Sequence, residues 1–301
     1  MGSLFKEVSM RPSCNQFINN ADGRKLSFAE YGQLSGKPVF TFHGAPGNRF
    51  QLLGTHFAAE ELGIRLIVAD RPGYGSSDYY SARELCDWPA DVEAIADFLG
   101  IERFGVWGIS AGGPHALATA ALLPDRVSRV ALAASVAPRT HMEATASAQE
   151  LKTIENVSAR KIKWTANSWI ALRQLASVVP WPIARLFINT ANRQLMDDKE
   201  FRATRSIERN EFGKRSAEAL AQDFSILMAP WGFELSEVSQ EVTIWHGTAD
   251  TLVKPQHGEL LSKLLPNSSY HKVDGVGHLV AGSLYSDMLM AAAETSNSLR
   301  A

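Results

Sequence analysis

Short, almost wholly apolar runs constrain the fold of this chain more than any other feature. Such runs are typical of strands that are buried on both faces, as parallel strands are. The runs occupy residues 38–43, 66–69, 104–107, 127–134 and 242–245, and an alternating polar and apolar run at 25–31 predicts a half-exposed strand before them. Each apolar run is followed by glycine or a polar residue. The runs therefore predict a largely parallel sheet.

Helical patterns lie between the strand-like runs, at residues 57–62, 88–99, 111–123 and 255–265. Gly63, Gly100 and Pro124 end the first three, as helix-breaking residues do. Alternating strands and helices predict an α/β fold with a doubly wound, mostly parallel sheet and helices on both faces. In such sheets, the residues that follow each strand converge at one edge.

The stretch 137–235 interrupts this alternation with long helical patterns and few β-branched runs. A chain of 301 residues has room for about two domains. We expect instead one core, formed by 1–136 and 236–301, with a helical insertion at 137–235. Trp164, Trp169 and Trp181 of the insertion are candidate apolar walls of a substrate pocket, although packing within the insertion explains them equally well.

Composition narrows the range of partners. Lys and Arg number 30 and Asp and Glu 32, so the net charge of −2 gives no reason to expect nucleic acid. No run of about 18 apolar residues predicts a membrane span, and the N-terminus does not resemble a secretory signal, so we expect a cytoplasmic protein. Two cysteines, Cys14 and Cys86, exclude a disulfide framework. Metal-ligand spacings and nucleotide-binding loops are not found, so no metal or other cofactor is expected. The oligomeric state stays open.

The segment Gly108-Ile109-Ser110-Ala111-Gly112 predicts a nucleophile. It has the G-x-S-x-G pattern and lies between a predicted strand and a predicted helix, where a tight turn lifts a serine hydroxyl clear of the sheet. Glycines flank the serine because side chains there would collide. The helix that begins after Ser110 also directs its positive end at developing negative charge.

The loop after an earlier strand, His43-Gly44-Ala45-Pro46-Gly47, predicts an oxyanion hole. Acyl transfer needs two N–H donors directed at the oxyanion. Ala111, the residue after the nucleophile, would supply one, and Ala45 the other, because Pro46 has no N–H. His43 borders the same loop and is a candidate substrate contact.

Asp250 and His278 complete the predicted site. Each follows a late strand-like segment, and the order Ser110, Asp250, His278 is that of serine hydrolases with a G-x-S-x-G turn. His278 would act as base and Asp250 would orient it.

Rivals for these roles exist. His43 and His246 also stand beside glycines at strand exits, but they precede the acid in sequence. Asp274 is a rival acid, although its position four residues before His278 favours a turn-forming role.

With these motifs in place, the chain resembles the α/β-hydrolase fold family, in its serine-nucleophile form with a helical cap. The resemblance covers about residues 25–289 apart from the cap, and it includes Asp70-Arg71-Pro72-Gly73-Tyr74-Gly75, which is similar to the family's loop bordering the pocket. The resemblance implies the type of reaction but not the substrate, because the cap usually selects the substrate.

The leading hypothesis is a cofactor-independent hydrolase of an ester, thioester or lactone, acting on a small and fairly apolar acyl substrate. The same residues suit a C–C bond hydrolase or a lyase, in which the histidine moves protons without an acyl-enzyme. A non-catalytic ligand-binding protein on the same scaffold is the alternative from another class.

Overall fold

The computed structural model describes residues 2–141, 164–168, 170–171, 190–212 and 215–293. Within them, eight strands form one sheet. The strands are β1 Gln16–Asn19, β2 Lys25–Gly32, β3 Lys37–Phe42, β4 Ile64–Ala69, β5 Phe104–Ile109, β6 Val127–Ala133, β7 Glu241–Gly247 and β8 Ser268–Val273.

The sheet has the order β1-β2-β4-β3-β5-β6-β7-β8. Strands β1 and β2 pair in antiparallel fashion, as do β2 and β4, and every later pairing is parallel. The expected mostly parallel, doubly wound sheet is confirmed. Its carboxyl-terminal edge collects the loops that leave β3 to β8.

The described helices are α1 Gly2–Met10, α2 His56–Glu61, α3 Trp88–Phe98, α4 Gly112–Leu122, α5 Thr190–Asp197, α6 Lys199–Asn210, α7 Ser216–Met228, α8 Gln256–Leu264 and α9 Tyr285–Ala292. Helices α5 to α7 lie between β6 and β7, in the stretch expected to be an insertion. No described helix is long and apolar enough to cross a membrane.

Two hydrophobic cores lie on opposite faces of the sheet. On one face, alternate strand residues such as Phe40 and Val106 pack against α3, α4 and α8. On the other, their neighbours such as Val39 and Trp107 pack against α1, α2 and α9. Because both faces are covered, the central strands are apolar at nearly every position, which is the feature that predicted them.

The two end strands, β1 and β8, had no predicted bounds. Their side chains alternate between half-buried and exposed positions for most of their length, with no fully buried residue. Ser268-Ser269-Tyr270-His271 therefore lacks the apolar run that identifies the central strands.

Candidate active site

The candidate residues lie where strands end at the carboxyl-terminal edge of the sheet. Ser110 follows β5, Asp250 follows β7 and His278 follows β8. The loop that carries Ala45 follows β3, which is hydrogen-bonded to β5. Parallel pairing thus brings together residues that are far apart in sequence.

The turn at Ser110 has a strained backbone. Its φ is +55°, a left-handed conformation that serine rarely adopts. A Cβ at Gly108 would lie 2.6 Å from the Gly112 carbonyl oxygen, and one at Gly112 would collide with the Phe42 carbonyl. The Ser110 amide donates to the Ala133 carbonyl at 2.8 Å, which anchors the turn to β6.

A line of hydrogen bonds joins the three predicted residues. The Ser110 Oγ lies 3.1 Å from His278 Nε2, and His278 Nδ1 lies 2.7 Å from Asp250 Oδ2. Since an ionised carboxylate only accepts, Nδ1 carries the proton and donates to Asp250. Nε2 is then free to accept the serine proton.

Asp250 stays ionised although it is buried. Burial alone would raise the pKa of its carboxyl, but hydrogen bonds from His246, His278 and the Leu252 amide outweigh burial and lower that pKa. The Leu252 and Val253 amides donate to Oδ1 at 2.9 and 3.0 Å, which leaves Oδ2 for the histidines. The carboxylate is fixed at both oxygens.

The rival residues occupy other positions. His246 is fully buried, with Nε2 2.8 Å from the Val253 carbonyl and 3.4 Å from Asp250 Oδ2, so it contacts the acid rather than Ser110. Asp274 is exposed. Neither residue therefore takes the place of His278 or Asp250 in the line of hydrogen bonds.

Two backbone amides of loops that line the cavities at Ser110 have no acceptor in the described part of the chain. The Ala45 and Ala111 amides donate to no acceptor among the described residues. Gly44, in contrast, donates its N–H to Gln51 Oε1 at 2.6 Å. Ala45 and Ala111 therefore remain the candidate donors, whereas the Gly44 N–H is already occupied.

Two cavities meet at Ser110. Both are lined by Ala45, Ser110 and Leu252. The first measures about 280 Å³, and its further walls include Gln51, Leu195, Phe201, Arg205, His278 and Tyr285. The second measures about 390 Å³, and its further walls include Val136, Arg139, Phe224, Leu227, Met228 and His257. His278 lines only the first cavity, whereas Ala111 lines only the second.

The remaining candidate contacts lie elsewhere. His43 is fully buried behind the loop of Ala45 and lines neither cavity. Trp164 is 70% exposed, and it is not among the described residues that line either cavity. Trp169 and Trp181 lie outside the described residues.

Sequence reasoning missed the cavity walls contributed by α5 to α7. Phe201, Phe224 and Leu227 lie in helices α6 and α7, where apolar residues recur at ordinary helical spacing. Such spacing predicts a buried face but does not distinguish a packed face from a cavity wall.

Comparison with known proteins agrees with this architecture. The model of the alpha/beta hydrolase fold family matches residues 37–282. YcgS, an uncharacterized hydrolase of Bacillus subtilis (strain 168), is 26% identical over 271 residues, which cover 86% of this chain and 90% of that protein.

Two solved structures are similar at low identity. A hydrolase from Pseudomonas aeruginosa has a TM-score of 0.67 and 16% identity, covering 93% of this chain and 97% of its own. An esterase from Exiguobacterium antarcticum has a TM-score of 0.65 and 20% identity, covering 93% and 100%. Since the family match spans most of the sequence and the sheet has the same architecture, the chain belongs to the alpha/beta hydrolase fold family.

Proposed function

We propose that this protein is a cofactor-independent serine hydrolase that cleaves an ester, thioester or lactone through an acyl-enzyme on Ser110. The observation that carries the proposal is the line of hydrogen bonds from Ser110 through His278 to Asp250, beside two free amides. Binding alone would not require this alignment.

The reaction follows from the roles of these groups. His278 Nε2 takes the Ser110 proton as Oγ attacks the substrate carbonyl, and the Ala45 and Ala111 amides stabilise the oxyanion. The tetrahedral intermediate collapses, the bond to the leaving group breaks, and His278 gives its proton to the leaving oxygen or sulfur. Water then repeats the sequence, releasing the acid and restoring Ser110. Asp250 holds the imidazole in the required tautomer and stabilises its cation.

The two cavities suit the two halves of the substrate. The leaving group must lie near His278, which protonates it, and His278 lines only the first cavity. The acyl group then extends into the second cavity, past Ala111. Because Val136, Phe224 and Met228 form walls of that cavity, we infer a fairly apolar acyl group of small or medium size.

We also propose that residues 137–235 form a helical cap over a core of 1–136 and 236–301. In support, α5 and α6 contribute Leu195 and Phe201 to the first cavity, and α7 contributes Phe224 and Leu227 to the second. The core supplies the reacting groups and the insertion supplies walls, so changes in the insertion would change the substrate and not the chemistry.

The test is turnover of p-nitrophenyl esters of increasing acyl length by Ser110→Ala. We expect kcat/KM to fall by about 10⁴-fold or more, because the nucleophile is removed while the fold is retained. Ser225→Ala is the matched control, since among the described residues the Ser225 hydroxyl bonds only to the carbonyl of Ala221 in its own helix. Undiminished turnover in Ser110→Ala would exclude Ser110 as the nucleophile.

A further inference from the structure

Among the described residues, side chains and not backbone groups form the hydrogen bonds to the N–H and to the carbonyl of Gly44. Its position is close to the nucleophile, since a Cβ built there would lie 3.4 Å from the Ser110 Cβ. The Gly44 carbonyl and the Ala45 N–H belong to one planar peptide unit, and in a trans peptide they point in opposite directions. Whatever fixes the Gly44 carbonyl therefore also sets the direction of the Ala45 amide.

Two buried side chains hold the Gly44 carbonyl. His43 Nδ1 lies 2.8 Å from it, and Arg71 Nη2 lies 3.2 Å from it. Because a carbonyl only accepts, Nδ1 of His43 is the donor, and its Nε2 accepts the Arg71 amide at 3.2 Å. Burial, reinforced by the nearby Arg71 cation, lowers the pKa of His43 well below its usual value, so the ring stays neutral in this role.

Arg71 is itself held by a cap helix. Asp223 of α7 accepts from Arg71 Nη2 at 2.8 Å, and both side chains are fully buried. Tyr74 donates to the same carboxylate oxygen at 2.9 Å, while Arg83 binds the other oxygen. Burial alone would raise the pKa of Asp223, but Arg71 and Arg83 outweigh burial and lower it, so the carboxylate remains charged.

A second route reaches Gly44 from another helix. The Gly44 N–H donates to Gln51 Oε1 at 2.6 Å, and Gln51 Nε2 lies 3.3 Å from Glu208 Oε1. Glu208 is fully buried on α6, and its backbone carbonyl accepts from Asn48 in the same loop as Gln51 at 2.8 Å. Two helices of the insertion are thus connected to the two peptide groups of one glycine.

We propose that Asp223 and Glu208 are positioning residues for oxyanion binding, acting through Arg71 and Gln51 on the Gly44 peptide groups. The inference rests on the proposed function. Docking of α6 and α7 aims the Ala45 amide, so the insertion contributes to transition-state stabilisation as well as to the cavity walls. Neither carboxylate touches the substrate.

The first test is Arg71→Lys. A lysine keeps the positive charge but cannot span Asp223 and the Gly44 carbonyl with a planar fork. Loss of an oxyanion donor lowers kcat by about 10²–10³-fold, so a misdirected donor should lower kcat by about 10²-fold with KM within about threefold. Affinity for an alkyl trifluoromethyl ketone, whose serine adduct carries the oxyanion, should fall in parallel. A merely structural role would leave that affinity unchanged in the folded fraction.

Gln51→Met tests the second route, which runs through Gln51 to Glu208. It is the decisive variant if Arg71→Lys does not fold, because Gln51 is only half-buried and its replacement disturbs the core less. Arg24→Lys is the matched control: Arg24 makes a bidentate pair with the buried Asp91, with no contact to the candidate site. We expect Gln51→Met to lose ketone affinity and kcat together, and Arg24→Lys to lose neither.

The outcomes separate the two proposals. Suppose that the wild-type protein turns over esters and binds the ketone. If Gln51→Met and folded Arg71→Lys then have the same kcat and the same ketone affinity as the wild type, the positioning role is overturned and the proposed function stands. If the wild-type protein does neither, the proposed function fails and the positioning role fails with it.

Discussion

Asp250 shows how one carboxylate serves more partners than sequence reasoning assigned to it. Its motif position predicted a contact with His278, and the structure places the two side chains 2.7 Å apart. The second contact, with His246, was not predicted because His246 was considered only as a rival base. Motif order identifies which residues meet, but the orientation of each ring depends on local hydrogen bonds that one sequence does not display.

The role of Asp250 can be tested with Asp250→Asn. An asparagine keeps the shape but loses the charge and favours the wrong imidazole tautomer, so kcat should fall by about 10⁴-fold while KM changes little. Steady-state kinetics on the best p-nitrophenyl ester measure this. Asp274→Asn, at an exposed position nearby, is the control and should retain activity. Equal losses in both variants would contradict the assignment.

His257 gives a stability prediction that depends on pH. Burial, and then the neighbouring His246, lowers its pKa to about 4, whereas an unfolded histidine titrates near 6.5. A lowered histidine pKa means that the stabilisation is complete above about pH 6.5 and is lost as the pH falls towards 4. The full loss corresponds to roughly 3 kcal/mol.

The measurement is urea unfolding of wild type and His257→Gln between pH 7.5 and 4.5. In the folded protein, His257 Nδ1 accepts the Ala137 amide at 3.0 Å, and a protonated ring cannot accept it. The wild-type free energy of unfolding should therefore drop relative to the variant as the pH falls. A difference that is constant across this range would contradict the shifted pKa.

At the scale of elements, the central strands were predictable and the end strands were not. Strands β3 to β7 each contain a run of mostly apolar residues because helices cover both faces of the sheet. Strands β1 and β8 lie at the ends of the sheet and keep polar, partly exposed side chains, so their sequences do not differ clearly from loops.

The turn between β5 and α4 was predicted from its glycines, and a glycine substitution tests it. Gly112→Ala would bring a Cβ into collision with the Phe42 carbonyl. Since that atom is backbone in a central strand, relief requires a shift of the turn, and we expect a loss of about 1–3 kcal/mol in unfolding free energy together with lower activity.

Gly54→Ala is the matched control for this turn. Within the part of the chain that the structure describes, its Cβ would meet only the Thr204 side chain, at an ordinary 3.8 Å. Urea denaturation should show little change for Gly54→Ala and a clear loss for Gly112→Ala. Wild-type stability and activity in Gly112→Ala would contradict the close approach of Gly112 to the Phe42 carbonyl.

At the scale of the whole molecule, the fold joins distant segments that no local pattern connects. Arg71 and Asp223 are 152 residues apart and form a fully buried ion pair. The loop of Arg71 was predicted to border the pocket, but Asp223 stands in an ordinary helical pattern and has no sequence signal. The residues of the candidate site were therefore predictable from motifs, whereas the contact between Arg71 and helix α7 required the structure.

Helix α9, the last described helix, is part of the core that supports the candidate site. Leu289 is fully buried in the cluster beneath Trp107 and Ala131 of the central strands. Leu289→Ala should lower the unfolding free energy by about 2–5 kcal/mol, because it leaves a cavity. Leu34→Ala, at a 52% exposed leucine, should change it by less than about 0.5 kcal/mol. Equal urea midpoints for the two variants would contradict the packing of α9.

Covalent trapping on Ser110 tests the central claim most directly. Wild-type protein, Ser110→Ala and His278→Ala would each be treated with a fluorophosphonate and with a slowly deacylating ester, then examined by intact mass and peptide mapping. The proposed function predicts one adduct per chain on Ser110 in the wild type, none in Ser110→Ala and greatly slowed labelling in His278→Ala. A folded wild-type protein that turns over its substrate without any adduct at Ser110 would contradict it.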